Sequence, residues 1–189
     1  MSIIELIIMA IGVSMDAFAV AICIGLSIEK IEFRKLATVG LYFGAFQAGM
    51  PLIGFTVANF FANYIETYDH WSAFILLGFL GGKMIIGSIK NKDEVCEEIE
   101  LTAINMLPLS LATSIDALIV GVSLALLKVR IIPAISLIGG TTFTFSMLGV
   151  ILGSTFGLRF RSKAEIAGGS ILILIGLKIL LEHTLLSSI

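Results

Sequence analysis

Apolar residues run in blocks of roughly twenty, the length that spans a bilayer core, from one end of this 189-residue chain to the other. The blocks cover 3–26, 37–61, 72–89, 103–127, 133–157 and 166–184. Short polar breaks separate them: Glu29 to Lys35, Asn63 to His70, Lys90 to Glu100, Lys128 to Arg130, and Arg159 to Glu165. In lipid every backbone polar group must be satisfied within a helix or a closed barrel, and these blocks are too long for barrel strands. The pattern therefore predicts an all-α polytopic membrane protein with six transmembrane helices.

The two halves of the pattern repeat. Asp16 and Asp116 sit in matching Ser-x-Asp-Ala segments, Ser14-Met15-Asp16-Ala17 and Ser114-Ile115-Asp116-Ala117, at a shift of 116 − 16 = 100. From the second block onward the shift is 95: Gly44 to Gly139, Gln47 to Thr142, Pro51 to Ser146, Gly54 to Gly149, Gly81 to Gly176 and Lys83 to Lys178. A shorter loop after the fourth block accounts for the change. Three helices per half is an odd number, so the second half must be inverted in the membrane. That is a recurrent transporter architecture, with the site at the midplane between the halves. The organisation read from the sequence is a first repeat over 1–90, an acidic linker over 91–102 and a second, inverted repeat over 103–189.

Composition changes the picture little. The chain is 58% hydrophobic and 14% charged, against about 25% charged in soluble domains, and its mean hydropathy is +1.07. A net charge of −2 offers no footprint for nucleic acid. The first block has no basic n-region and carries Glu5, so it reads as a retained helix rather than a cleaved signal. Cys23 lies in that block and Cys96 in the acidic loop; the reading is that they do not pair.

Basic residues set the orientation. The first, third and fifth loops hold Lys30, Arg34, Lys35, Lys90, Lys92, Arg159, Arg161 and Lys163, whereas the other side holds only Lys128 and Arg130. Both termini are predicted to face outward. The acidic third loop, with Asp93, Glu94, Glu97, Glu98 and Glu100, reads as a solvated cytoplasmic linker.

A carboxylate near the bilayer centre costs roughly 3 kcal/mol or more, so Asp16 and Asp116 need a reason to be there. Positions separated by 4, 7 or 11 share a helix face. Asp16 shares its face with Glu5, Gly12, Cys23 and Ser27, and Asp116 with Asn105, Ala112 and Ser123. Glu5 overlays Asn105 and Cys23 overlays Ser123 at the shift of 100. Each helix thus presents a polar stripe with its carboxylate near mid-depth, either a path for a solute or polar glue between helices. The second and fifth blocks carry stripes of small residues, with Gln47 and Thr142 as their repeat-related oxygen donors. Lys83 and Lys178 lie within a few turns of helix ends. They either snorkel to the interface or serve as counter-charges to the aspartates.

Two carboxylates with nearby amide and hydroxyl oxygens make a hard-ligand set suited to Mg²⁺, Ca²⁺ or Mn²⁺. The candidate ligands are Asp16, Asp116, Gln47, Thr142, Ser14 and Ser114, with Met15 as a possible soft addition. Glu5, Cys23, Asn105, Ser123, Lys83 and Lys178 are pathway or counter-charge candidates. His70 and His183 fall near the outer surface, which disfavours a zinc-type site. When empty, the pair is expected to hold at least one proton, and metal binding then releases it. No phosphate-binding loop is present, so the reading is cation–proton exchange with no resident cofactor.

Four segments carry a likeness: Ser14-Met15-Asp16-Ala17-Phe18-Ala19, Phe43-Gly44-Ala45-Phe46-Gln47-Ala48-Gly49-Met50-Pro51, Phe79-Leu80-Gly81-Gly82-Lys83-Met84-Ile85-Ile86 and Ala112-Thr113-Ser114-Ile115-Asp116-Ala117. They resemble the bacterial MntP-type manganese efflux pumps, and the resemblance covers essentially the whole chain. It implies export of Mn²⁺ from the cytoplasm across the bacterial inner membrane, with Mn²⁺ as transported substrate. It also implies six helices with both ends outside, and maps the family's intramembrane acidic residues onto Asp16 and Asp116. Gln47 stands where some relatives carry Glu, which leaves this site one charge poorer. Two rivals are weaker. An intramembrane aspartyl protease would want its aspartate in a Gly-x-Gly-Asp context, and an exporter of amino acids or other small solutes would want wider polar recognition groups.

Overall fold

A computed structural model describes residues 3–26, 28, 30–60, 69–90, 101–156 and 161–186. They form six helices: α1 (Ile3–Leu26), α2 (Phe33–Phe60), α3 (Asp69–Lys90), α4 (Ala103–Leu126), α5 (Ile131–Phe156) and α6 (Arg161–Leu186). The acidic stretch with Asp93, Glu94, Cys96, Glu97, Glu98 and Glu100, together with Ser27, Glu29, Lys92, Arg159 and the side chains of His70 and His183, lies outside the described residues.

The helices match the predicted blocks, with overhangs at the polar ends. α2 starts at Phe33 rather than 37 and α6 at Arg161 rather than 166. Hydropathy marks where lipid ends, whereas a helix continues while its hydrogen bonds last. In the first turn of α2, Thr38 Oγ1 donates to the Arg34 carbonyl at 2.8 Å and Lys35 lies 3.6 Å from Glu32. By length and composition, α1, α2, α4 and α5 can each cross a membrane. The third and sixth helices carry shorter apolar stretches, Phe74–Gly87 and Ile166–Leu181.

The connection from α4 to α5 is tight. Leu127 caps α4, Lys128 turns into the left-handed region at φ 51°, and the Val129 and Lys128 amides donate back to the Leu124 and Ala125 carbonyls. This is the doubly hydrogen-bonded helix stop usually built on glycine. The Lys128 side chain tolerates the strain because the turn closes two otherwise orphaned carbonyls.

Helices in lipid gain little from apolar burial against one another, so small residues that admit close backbone approach set the packing. α1 runs parallel to α5: Gly149 packs on Phe18 and Ala21, and Gly153 on Ile22. α2 runs parallel to α4 with the same kind of contact, Gly54 on Leu118 and Gly121 on the Pro51 backbone. α2 crosses α5 antiparallel through Gly44 and Gly139, and α3 crosses α6 through Gly81 and Gly169. α1 also packs on α6, and α4 on α3. Exchanging α1, α2 and α3 for α4, α5 and α6 turns this set of packed pairs into itself.

Candidate functional site

Each Ser-x-Asp-Ala segment falls mid-helix, Asp16 in α1 and Asp116 in α4. The serine two residues before each aspartate faces a parallel neighbour. Ser14 is fully buried. Its hydroxyl donates to the Ala10 carbonyl at 2.6 Å and shares a hydrogen bond of 2.8 Å with Thr142 Oγ1 of α5. Thr141 Oγ1 stands 3.1 Å away. Ser114, also fully buried, donates to Gln47 Oε1 of α2 at 2.9 Å. Ser14–Thr142 and Ser114–Gln47 are the same contact at the shifts of 100 and 95 read from the sequence.

Gln47 does more than its counterpart. Its amide nitrogen donates to the Val13 carbonyl of α1 at 3.1 Å while its oxygen accepts from Ser114 of α4. One fully buried side chain therefore ties together the two helical segments that carry the aspartates. Both amide groups are committed, yet Oε1 keeps a second lone pair.

Asp116 is 7% exposed and Asp16 half-buried. Lys83 Nζ of α3 donates to Asp116 Oδ1 at 2.8 Å. The lysine side chain is 57% exposed and the aspartate's 10%, so the cation reaches a sunken carboxylate from a more open position. Lys178 of α6, the repeat-equivalent of Lys83, pairs with Glu5 of α1.

The remaining candidates spread out. Met15 packs on α6 at Gly168 and joins the hydrophobic core there. Ser123 is buried and donates to the Ile119 carbonyl at 3.1 Å, while Asn105 is exposed near the start of α4. Cys23 is disulfide-bonded, which corrects the expectation that it stays unpaired and removes its thiol from the stripe. It stands within one turn of the end of α1 at Leu26, and the other cysteine of the chain, Cys96, lies outside the described residues. Among the described residues no three His, Cys, Asp or Glu gather.

Three further hydroxyls, Ser110 and Thr113 buried and Thr141 half-buried, escaped the sequence reading. Thr141 adjoins Thr142, Thr113 adjoins Ser114, and Ser110 sits one turn before Ser114. The i−4 spacing of Ser110 was the available signal. The Ser110 and Ser146 hydroxyls are buried without a hydrogen-bond partner. Each lies one turn from the Ser114 and Thr142 oxygens, so uncommitted polar atoms extend the cluster along α4 and α5.

Comparison with known proteins adds the family. The family model described as "Putative manganese efflux pump" matches residues 30–180. A protein of Acetivibrio thermocellus named "Putative manganese efflux pump MntP" is 53% identical over 184 residues, covering 97% of this chain and 92% of that protein. A protein of the same name from Desulfitobacterium hafniense is 54% identical over 181 residues, with 95% and 94% covered. Another, from Clostridium perfringens, is 46% identical over 205 residues, with 97% and 96% covered. No solved structure matches. A bundle of long apolar helices with a buried carboxylate and buried hydroxyls, matched along nearly its whole length by such relatives, belongs to the MntP family of manganese efflux pumps, which are membrane transporters and not enzymes.

Proposed function

We propose that this chain exports Mn²⁺ from the cytoplasm, with Asp16 and Asp116 as the anionic ligands of one central site. The observation that carries the reading is the Gln47 bridge between Val13 and Ser114, which supports a shared site for the two aspartate segments. Gln47 Oε1 and the Ser14, Ser114 and Thr142 hydroxyls supply further hard oxygens, the set that suits a divalent first-row cation of low thiophilicity. The names of the relatives, manganese efflux pumps, favour Mn²⁺ among such cations and efflux as the direction.

Transport on this reading is secondary. The empty site keeps its charge balanced by Lys83 on Asp116 and by a proton, since two carboxylates in a low dielectric do not both ionise easily. Arriving Mn²⁺ displaces the ammonium and the proton together, because metal ligands must be deprotonated. Re-protonation from the outer side drives the cation off. The two three-helix halves act as inverted repeats that rock about the site; the mapping of packed pairs onto one another under exchange of the halves supports this. Both termini face outward, as the positive-inside count requires.

The test is Mn²⁺ flux in proteoliposomes. Asp16→Asn and Asp116→Asn should each cut flux by about a hundredfold, the equivalent of roughly 2.7 kcal/mol, while inserting normally. Retained flux in either variant removes the dyad. Wild-type flux that ignores an imposed pH gradient removes proton coupling and leaves the site standing.

A further inference from the structure

Two buried hydroxyls stand apart from the hydrogen bonds that join the aspartate segments. Ser110 of α4 and Ser146 of α5 are fully buried, and their Oγ atoms have no hydrogen-bond partner among the described residues. A buried hydroxyl left unpaired costs about 1–3 kcal/mol, so each needs a reason to be there. Helical serines commonly return their proton to the carbonyl four residues back. Ser14 does so to Ala10 and Ser123 to Ile119, whereas Ser110 and Ser146 do not.

Both lie on the same side of the site. The bonds Ser114 to Gln47, Gln47 to Val13 and Ser14 to Thr142 mark one level across α4, α2, α1 and α5. One turn from that level, about 6 Å of helix rise, α4 carries Ser110 and α5 carries Ser146. The two steps point the same way because α4 runs with α2 and α2 runs against α5. A further turn on stand Met106 of α4 and Val150 of α5, in one buried apolar cluster with Ala17, Ala21, Val39 and Phe43. Each serine is therefore the step between a site oxygen and this cluster.

The repeat does not copy the pair. At the shifts of 100 and 95, Ser110 answers to Ala10 and Ser146 to Pro51, both buried. Those positions lie on the opposite side of the site, one turn beyond Ser14 and Gln47, and neither carries a hydroxyl. Ala10 shows that packing at such a position is met without an oxygen. With both termini outward, the side that bears the hydroxyls is cytoplasmic and the bare side is outer.

From this asymmetry we infer that Ser110 and Ser146 are cation-binding residues of the cytoplasmic approach, which take the hydrated divalent cation and pass it to the carboxylates. The inference rests on the proposed Mn²⁺ export and on its orientation. When the cluster around Phe43 parts, these are the first hydroxyls that an entering cation meets on these faces of α4 and α5. A serine oxygen offers lone pairs to a hard cation and replaces a water of its shell. It carries no carboxyl proton, so it adds affinity with no proton to release. The outer side lacks the counterpart, so a departing cation is not held there. Unequal hydroxyls thus favour loading from the cytoplasm.

The test is Mn²⁺ transport by the full chain in proteoliposomes, with initial rates read separately from the cytoplasmic and outer faces. Ser110→Ala combined with Ser146→Ala should raise KM for Mn²⁺ at the cytoplasmic face about tenfold, the equivalent of roughly 1.4 kcal/mol. KM at the outer face and kcat should stay within about twofold, and the rise should be the same on either side of neutral pH. The melting temperature should hold or rise, because the change removes two unpaired buried hydroxyls. A cytoplasmic KM equal to wild type overturns the inference, as does a rise equal at both faces or confined to the outer one. If the alanine pair fails to insert, Ser146→Cys carries the test, since a thiol favours softer ions. Cd²⁺ at the cytoplasmic face should then block Mn²⁺ flux at about tenfold lower concentration than in wild type, and unchanged sensitivity overturns the inference. Inactive Asp116→Asn beside a wild-type cytoplasmic KM in the serine variant sinks only the approach, whereas active Asp116→Asn sinks the central site.

Discussion

The parallel pairs, α1 with α5 and α2 with α4, solve their packing in the same way in both halves, while the lysine-bearing pairs, α1 with α6 and α3 with α4, do not. In the first set Ser14 meets Thr142 as Ser114 meets Gln47, and Gly149 lies on Phe18 as Gly54 lies on Leu118. In the second set one lysine reaches a mid-helix aspartate and the other a glutamate at the helix start. Backbone laid on backbone has one solution, because any slide drives a Cα into a carbonyl. A lysine has a flexible stem and takes whichever carboxylate its half offers. The parallel pairs therefore pack alike in the two halves, and the lysine partners are where the halves differ.

The largest effect should come from filling a rigid contact. A Cβ at Gly54 would stand 2.1 Å from the Leu118 carbonyl oxygen, and one at Gly149 2.8 Å from the Ala21 Cβ and the Phe18 carbonyl oxygen. Overpacking of this kind costs about 1–3 kcal/mol and occasionally more. Gly54→Ala should sit at the top of that range and Gly149→Ala near the bottom, read as falls in thermal midpoint in detergent. The 2.1 Å neighbour is backbone and cannot turn aside. If Gly54→Ala melts like wild type, the parallel pairs are not packed backbone on backbone and the contrast with the lysine faces disappears.

The sequence made the helices legible because lipid imposes one rule on every segment, and it made the equivalent positions legible because the repeat is written in residues that the packing needs. Gly54 and Gly149 recur because two backbones touch at each. Gln47 and Thr142 recur because each answers a serine. Partner choice was not legible. Nothing in the shift of 95 said that Gln47 would also reach Val13, since that bond depends on α1 and α4 both standing within one side chain of α2. Nor did Lys178 announce its pairing with Glu5, because sequence spacing does not place α6 along the face of α1. The Cys23 disulfide was missed for the same reason: spacing in sequence does not measure closeness at a helix end.

Gln47 allows an intermediate test of the two halves. Gln47→Leu strips Ser114 of its acceptor and the Val13 carbonyl of a donor, whereas Thr142→Val leaves Ser14 its bond to Ala10. A buried polar group left unsatisfied costs about 1–3 kcal/mol. Gln47→Leu should lower the thermal midpoint more than Thr142→Val, and should also weaken Mn²⁺-induced stabilisation of the purified protein more. Equal losses in both readouts would mean that the two contacts are interchangeable and that the bridge across α1, α2 and α4 has no special standing.

The smallest effect belongs to glycines that touch nothing. Gly78 and Gly82 of α3 lie one turn apart, and a Cβ at either would meet no atom within 4 Å. Alanine in a helix interior is favoured over glycine by roughly 0.5–1 kcal/mol. Gly78→Ala should therefore leave Mn²⁺ flux unchanged and hold or slightly raise the thermal midpoint, in contrast to Gly54→Ala. The outcome bears on α3 as a whole, since its Gly81 packs against Gly169 of α6 while Gly78 and Gly82 face away from the bundle. A fall in stability in lipid at Gly78→Ala, with no fall in detergent monomer, would mean that another surface closes on this face of α3 in the membrane. The lysine-bearing arm would then be held by a second copy of the chain, and its freedom to differ between the halves would be smaller than the single chain implies.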